Sequence, residues 1–224
     1  MKSKSFYIFI AALIASLSLS VKTSAQVSKE WIQRYNHTNN GADRANDITM
    51  DAAGNIYVTG TSSYGYATVK YNSSGVLQWT ARYQGNYYIY NEAFAVTADN
   101  AGNVYVTGTN GASGGTHSDI VTVKYNSSGV QVWAVRTTGS GVNNDAGHSI
   151  AVDASGNIYV VGYLVSTGTG RDITTIKYSQ DGNIQWMIQY NRQASSGDMG
   201  KKLVLDASGN IYVTGSTNIP QTAF

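Results

Sequence analysis

The sequence predicts an all-β fold, a propeller of four-stranded antiparallel blades, from two repeating signals and from the composition. The decapeptide DAAGNIYVTG at 51–60 returns three times with few changes, and its first residue recurs at intervals of 48, 54 and 53 residues, as Asp51, Asp99, Asp153 and Asp206. The same intervals separate the four tryptophans, Trp31, Trp79, Trp133 and Trp186. A repeating unit of about 50 residues with several strands is typical of a propeller blade.

Each unit contains four predicted strands, labelled A to D. In the first unit DITMD ends at an Asp-x-x-Gly-Asn turn, NIYVTG follows, YATVKY leads into NSSG, and VLQWTARY leaves that turn. Asn, Asp and Ser side chains cap such turns and glycine supplies positive φ, so the turns indicate hairpins. Strand D alternates between apolar and polar residues, which indicates one solvent-facing side and makes D the outer strand. The 24 glycines and single proline also favour short strands joined by tight turns.

Residues 1–25 are predicted to be a signal peptide, which leaves 26–224 as the propeller domain. Lys2 and Lys4 give a positive start, FYIFIAALIASLSLS is apolar, and TSA before Gln26 is a small-x-small cleavage site. We therefore expect a secreted or cell-surface protein. The chain has no cysteine, so burial rather than disulfides must stabilise it. No later segment is apolar for long enough to cross a bilayer.

The charge pattern argues against a nucleic-acid partner. Without Lys2, Lys4 and Lys22 the chain carries 12 basic and 13 acidic residues. These charges are scattered singly and form no basic stripe that could follow a phosphate backbone.

The repeat boundaries predict blade units at 45–83, 93–137 and 147–190, a partial blade at 200–224 and a lone outer strand at 29–35. The expectation is therefore three complete blades with partial blades at both ends, as in a truncated or partial propeller. A closed four-bladed ring with a shortened strand C is the alternative. An open arc would expose strand edges, so self-association through blade edges is expected.

The motif DASGNIYVTG and the segment TVKYNSSGVLQW resemble the bacterial β-propeller repeat family often labelled SBBP, and less closely NHL repeats. The resemblance extends from about residue 29 to 215. It implies a secreted or cell-surface propeller. The family has no common reaction and no motif of catalytic residues, so the resemblance implies no catalytic residue in this chain.

Features that every blade repeats are interpreted as scaffold. The Asp-x-x-Gly-Asn turns offer one aspartate each, too few hard oxygen ligands for calcium, so we expect structural turns, no metal and no cofactor. Four residues eight positions before the blade aspartates are expected to cap strand A, namely Asp43, Asn91, Asp145 and Asp198. Repeated cations are expected to blunt the outer edge on strand D (Arg34, Arg82, Arg136) and to lie along blade faces on strand C (Lys70, Lys124, Lys177).

The spacing Gly-x-x-x-Trp resembles the tryptophan-docking motif of quinoprotein propellers, and occurs at Gly75/Trp79, Gly129/Trp133 and Gly182/Trp186. A tryptophan that packs between neighbouring blades serves any propeller, so the motif predicts packing rather than a quinone.

Features that differ between blades are the candidates for a binding surface. The D–A and B–C loops vary, and one of them clusters Tyr87, Tyr88 and Tyr90, whose rings would either bind a sugar or protein or pack onto the blade tops. A variable position at the start of strand A should line the channel mouth, with Asn46, Phe94, His148 and Lys201. His117 and His148 join the candidate binding residues. The three histidines show neither metal-ligand spacing nor a triad partner, so no catalytic residue is predicted.

The predicted function is an exported, non-enzymatic module that binds a protein or glycan through its variable-loop face. One alternative is a structural cell-surface repeat protein or a nonfunctional fragment. The other is a propeller hydrolase or lyase, which would need a convergent acid/base cluster that the sequence does not indicate.

Overall fold

The computed structural model describes residues 30–37, 41–85, 91–111, 117–140, 144–192 and 197–217. The residues from Trp31 onward belong to one compact unit. Its first sheet comprises β1 (Asp43–Met50), β2 (Ile56–Ser62), β3 (Gly65–Tyr71) and β4 (Leu77–Tyr83). The second comprises β5 (Glu92–Ala98), β6 (Val104–Gly111), β7 (Ser118–Tyr125) and β8 (Gln131–Thr137). The third comprises β9 (Ala146–Val152), β10 (Ile158–Ser166), β11 (Gly170–Tyr178) and β12 (Ile184–Tyr190). The fourth comprises β13 (Met199–Leu205) and β14 (Ile211–Ser216).

Each sheet is antiparallel with its strands in chain order, and three of the four have four strands while the fourth has two among the described residues. This confirms the predicted all-β fold of four-stranded antiparallel blades. The first strands of successive sheets contact one another, β1 with β5, β5 with β9 and β9 with β13. Strand A is therefore the inner strand of each blade, and strand D is the outer edge.

The hydrophobic core consists of layers between neighbouring blades. Between blades 1 and 2 the layer includes Tyr57, Tyr66 and Val106, all fully buried. Between blades 2 and 3 it includes Ile120 and Ile158, which are also fully buried. Burial on both faces explains why the middle strands carry β-forming residues at almost every position, without polar alternation.

The tryptophans dock between blades, as the sequence predicts. Trp79 packs against Tyr57 of its own blade and Tyr125 of the next, with ring centroids 6.0 and 6.4 Å apart. Its indole Nε1 donates a hydrogen bond to the carbonyl of Ser127 at 3.0 Å. A Cβ on Gly129, whose φ is +80°, would lie 2.7 Å from the Trp79 ring. The glycine of the motif therefore receives the tryptophan of the preceding blade, not the one four residues later.

Two details differ from the sequence predictions. Residues 30–37 form no strand, although Trp31 takes the docking position against Tyr71, with ring centroids 5.8 Å apart. Arg82 and Arg136 do not blunt the outer edge. Arg82 donates to the hydroxyl and carbonyl oxygens of Ser62 at 2.9 and 2.7 Å, because acceptors at the B–C hairpin lie within reach of the guanidinium.

Arg136 turns inward in the same way, because a carboxylate lies at its B–C hairpin. Its guanidinium pairs with Asp119 at 2.6 Å. The repeated lysines, unlike the arginines, lie where the sequence predicts, along the blade faces. The Nζ of Lys70, for example, lies 5.3 Å from the centre of the Tyr57 ring.

Candidate functional site

The A–B and C–D turns lie at the same end of the strands in every four-stranded blade. Their polar groups form hydrogen bonds within each turn, so this end is a structural scaffold. Asp51 Oδ1 accepts the backbone N–H groups of Ala53 and Asn55 at 3.0 and 2.9 Å. Its Oδ2 accepts the Asn55 amide and the Tyr57 hydroxyl, both at 2.8 Å. Burial opposes ionisation of Asp51, but these hydrogen bonds outweigh it and hold its pKa below the ordinary value. The same four bonds recur around Asp99, Asp153 and Asp206.

The opposite end contains an irregularity that every blade shares. The A–B ladder shifts register between residues 45 and 47 in blade 1, and at the equivalent place in the other three blades. The extra residue of each β-bulge is the variable position singled out in the sequence, namely Asn46, Phe94, His148 and Lys201. A bulge leaves one residue outside the ladder and re-aims its side chain.

Two of these bulge residues connect neighbouring inner strands. Asn46 Nδ2 donates to the carbonyl of Ala93 at 2.7 Å, and His148 Nδ1 lies 2.8 Å from the carbonyl of Gly200. Ala93 and Gly200 each stand directly before the bulge residue of the next blade, so the two contacts are equivalent. Since a carbonyl only accepts, Nδ1 of His148 carries the proton.

A cavity of about 450 Å³ lies at this variable-loop end, within the size range of ligand pockets. Two of its lining residues are the bulge residues Phe94 and His148. Tyr163 of β10, Tyr64 of the first B–C turn and the exposed Asn144 line it too. The cavity thus joins inner strands and loops of three blades.

The aromatic side of the cavity is a chain of rings in contact. The Phe94 and His148 rings meet edge to face at 5.5 Å and 73°, and the His148 and Tyr163 rings at 5.4 Å and 66°. The guanidinium of Arg171 lies 4.8 Å from the centre of the Tyr163 ring. Burial lowers the pKa of His148. The hydrogen bond to Gly200 raises this pKa, and the positive charges of Lys201 and Arg171 lower it. The net shift is downward, so the imidazole is neutral at pH 7.

The polar side of the cavity carries a charge pair that cancels. Arg44 and Glu92, at equivalent positions in β1 and β5, form a salt bridge, and Asn46 donates to Glu92 Oε1 at 3.1 Å. The hydroxyl oxygen of Thr61 is buried and has no hydrogen-bond partner among the described residues. The rim therefore offers the Asn144 amide and the paired charges of Arg44 and Glu92, which cancel, while the Thr61 hydroxyl stays buried.

Asp145 lies between two residues that line the cavity, Asn144 and Ala146, and forms hydrogen bonds to three neighbouring segments. Its carboxylate accepts the N–H groups of Gly139 in the D–A loop and Val165 in β10, both at 2.7 Å. Its own N–H donates to the carbonyl of Ser118 at 2.7 Å. The pKa of Asp145 is raised to about 6, because burial, with a smaller contribution from the charge of Asp119, raises it more than the two N–H donors lower it. These contacts tie three segments together and support the predicted capping role.

The structure separates the predicted binding residues. His148 lies in the cavity wall. His117 precedes β7 and is not among the described residues that line the cavity. Tyr87, Tyr88 and Tyr90 lie outside the described residues, so their role stays a prediction.

Sequence reasoning did not single out most of the lining residues, among them Arg44, Glu92 and Tyr163. The position of Arg44 and Glu92 was readable, because they stand two residues before the variable bulge position and share its side of strand A. Tyr163 lies in the third strand B, whose sequence extends as VVGYLVS beyond the shared motif.

Neither a metal-binding cluster nor a membrane-spanning helix is found in the described part of the chain. Its residues include no group of three or more His, Cys, Asp or Glu side chains placed to hold a metal ion. The same residues include no helix with the length and apolar character needed to span a membrane.

Comparison with known proteins identifies the repeat. The family model described as the SBBP beta-propeller repeat matches residues 30–65, 133–163 and 185–220. The chain therefore carries β-propeller repeats of the SBBP type, and the resemblance inferred from its motifs is confirmed. Each match starts at or next to a docking tryptophan, extends through strand A and ends in or after strand B.

Two solved structures are similar to this chain at low identity. A protein of unknown function from Bacteroides caccae shares 12% identity over 80% of this chain and 57% of its own, with a TM-score of 0.48. The extracellular domain of a hybrid two component system from B. thetaiotaomicron shares 10% identity over 80% of this chain and 32% of its own, with a TM-score of 0.28. The chain thus spans little more than half of the first and about a third of the second. No curated protein matches the sequence.

Proposed function

We propose that this protein is an exported, non-enzymatic binding module that recognises its partner at the variable-loop end. One observation carries the proposal: the cavity of about 450 Å³ at that end is lined by residues that differ between blades. A surface built from blade-specific residues can discriminate between ligands, whereas a repeated scaffold offers the same groups at every blade.

The opposite end serves as the contrast. Grooves of about 440 and 510 Å³ lie between neighbouring A–B turns, but the residues that line them come mainly from the repeated turns. The turn carboxylates there already accept four hydrogen bonds each, as at Asp153. Their acceptor capacity is used within the turn, so these grooves offer little for a ligand.

Non-enzymatic action is supported by the way the titratable groups of the cavity are occupied. Glu92 is paired with Arg44 and also accepts from Asn46, so the basic Nε2 of His148 has no free carboxylate partner among the described residues that line the cavity. A general acid/base pair needs two groups that are free to exchange protons with a substrate. Export is supported by the signal-peptide pattern at residues 1–25.

The test is a glycan array and a peptide array probed with the full chain, the Phe94→Ala variant and a control. Ser73→Ala is the control because Ser73 lies in a C–D turn at the opposite end. We expect ligands whose binding falls about 30-fold in Phe94→Ala, as for an aromatic anchor, and stays unchanged in the control. Loss of binding in Ser73→Ala with retention in Phe94→Ala would overturn the choice of face. Release of cleavage products from a bound ligand would overturn the non-enzymatic interpretation.

A further inference from the structure

The cavity at the variable-loop end has features that select among ligand classes. Its apolar wall consists of the contiguous Phe94, His148 and Tyr163 rings. Aromatic faces carry partial negative charge, which attracts the C–H groups on the apolar side of a sugar ring. The wall therefore favours a flat, C–H-rich ring.

The charge of the cavity argues for an uncharged ligand. The Arg44 charge is balanced by Glu92, and the lowered pKa of His148 keeps its imidazole neutral at pH 7. An anionic ligand would have to compete with Glu92 for the Arg44 guanidinium, and a cationic ligand would compete with Arg44 for the carboxylate.

The hydrogen-bonding groups fit hydroxyl ligands. With Nδ1 protonated, the neutral imidazole of His148 has an acceptor at Nε2. Asn144 is exposed at the rim, where its side-chain amide supplies both donors and an acceptor. A hydroxyl both donates and accepts, so a ring bearing several of them can use acceptors and donors in one small site.

We propose that this cavity binds a neutral sugar ring, at the end of a saccharide chain or as a free disaccharide. This proposal rests on the proposed function and names the ligand class of the same site. A volume of about 450 Å³ suits a small ligand. A standard protein interface instead buries about 800 Å² on each partner, so a polypeptide would need surface well beyond the cavity.

The histidines provide a direct assay. The chain contains three histidines, and of these only His148 is among the described residues that line the cavity. His37 serves as the internal control in the same NMR spectrum; His117 does not, because its neighbour Ser118 lines the cavity. The full chain is titrated with free neutral disaccharides (lactose, maltose, cellobiose and N,N′-diacetylchitobiose) and with glucuronic acid as the anionic probe. His148→Gln assigns the His148 signal.

The expected result is a saturable shift of the His148 signal with at least one neutral disaccharide, while the His37 signal stays in place. Phe94→Ala should weaken this binding at least tenfold, and Ser73→Ala should leave it unchanged. If Phe94→Ala does not fold, Asn144→Ala takes its place, because that exposed side chain can be removed without disturbing the core.

The outcomes separate this proposal from the proposed function. A shift of His148 with glucuronic acid alone overturns the neutral-sugar class. Peptide-array binding that depends on Phe94, with no response to any sugar, overturns the sugar proposal and leaves the binding function standing. If neither sugars nor peptides bind in a Phe94-dependent way, both proposals fail.

Discussion

Replacing Asp145 by asparagine should change how the stability of the protein depends on pH. Asp145 is 1% exposed and its pKa is raised to about 6 from an ordinary value of 3.8. The folded chain therefore holds the proton more tightly than the unfolded chain. By linkage, this group makes the free energy of unfolding fall as the pH rises from about 4 to about 6.

The full pKa difference corresponds to roughly 3 kcal/mol, at about 1.4 kcal/mol for each pH unit. We expect a measured effect of about 1–3 kcal/mol, because local relaxation and solvent reduce such a penalty. Asparagine does not titrate in this range, so the variant lacks the contribution altogether. Asp51 and Asp153 have lowered pKa values and act in the opposite direction, losing stability as the pH falls through their folded-state pKa values.

Blade 2 already shows how asparagine fits this position. Asn91, the equivalent of Asp145, accepts the N–H of Gly111 at 2.9 Å and donates to the carbonyl of Gln84 at 3.3 Å. Asp145 instead accepts the N–H of Gly139, which belongs to the equivalent peptide group. In blade 2 this peptide group turns its carbonyl toward the side chain, and Gly85 has a φ of +62°. Gly139 has the same conformational freedom, so in the variant the peptide group can turn its carbonyl toward the asparagine amide.

The assay is urea unfolding of the original chain and the Asp145→Asn variant at pH 4, 5, 6 and 7. Taking the difference between the two proteins cancels the contributions of the carboxyl groups that do not interact with Asp145; Asp119, which does interact with it, is the exception. The unfolding free energy of the original chain minus that of the variant should decrease by about 1–3 kcal/mol between pH 4 and pH 7. A difference that stays constant or increases over this range would refute the reasoning.

Two further predictions concern the scaffold. Trp79→Ala should lower the free energy of unfolding by about 2–4 kcal/mol, because the half-buried ring and its hydrogen bond to Ser127 are lost. Trp186→Ala, on β12, should cost about half as much, because the Trp186 ring contacts Tyr159 of its own blade whereas the Trp79 ring contacts tyrosines of two blades. Equal losses would contradict docking between blades. Gly102→Val should cost at least about 1–2 kcal/mol, because φ is +78° and a Cβ would lie 3.3 Å from that of Ser127. A loss that added calcium reverses would overturn the structural interpretation of that turn.

The blade architecture could be predicted because it repeats. The intervals of 48, 54 and 53 residues between the tryptophans and between the turn aspartates mark the period, and the turn residues mark the strand ends. The variable position represented by Phe94 and His148 was also placed correctly at the start of the inner strand. The β-bulge that creates it could not be read, because one extra residue in a ladder leaves no local composition signal.

The features that sequence reasoning missed depend on contacts between distant segments. Arg136 was expected at the outer edge, but its partner Asp119 lies 17 residues earlier and becomes a neighbour only when β7 and β8 pair. The cavity likewise needs Arg44, Glu92 and Tyr163 from three different blades. Period and turn chemistry describe one blade at a time, whereas the site is a property of their arrangement.

The β-bulges on the inner strands uncouple sequence change at the cavity from the rest of the sheet. The residue at 46 and its equivalents stands outside the backbone ladder, so exchanging its side chain leaves the register of every strand untouched. Asn, Phe, His and Lys already occupy this one backbone setting within a single chain. Two of the four, Phe94 and His148, line the cavity and form a natural pair for a combinatorial library, in which ligand preference can be altered while the blades keep their fold.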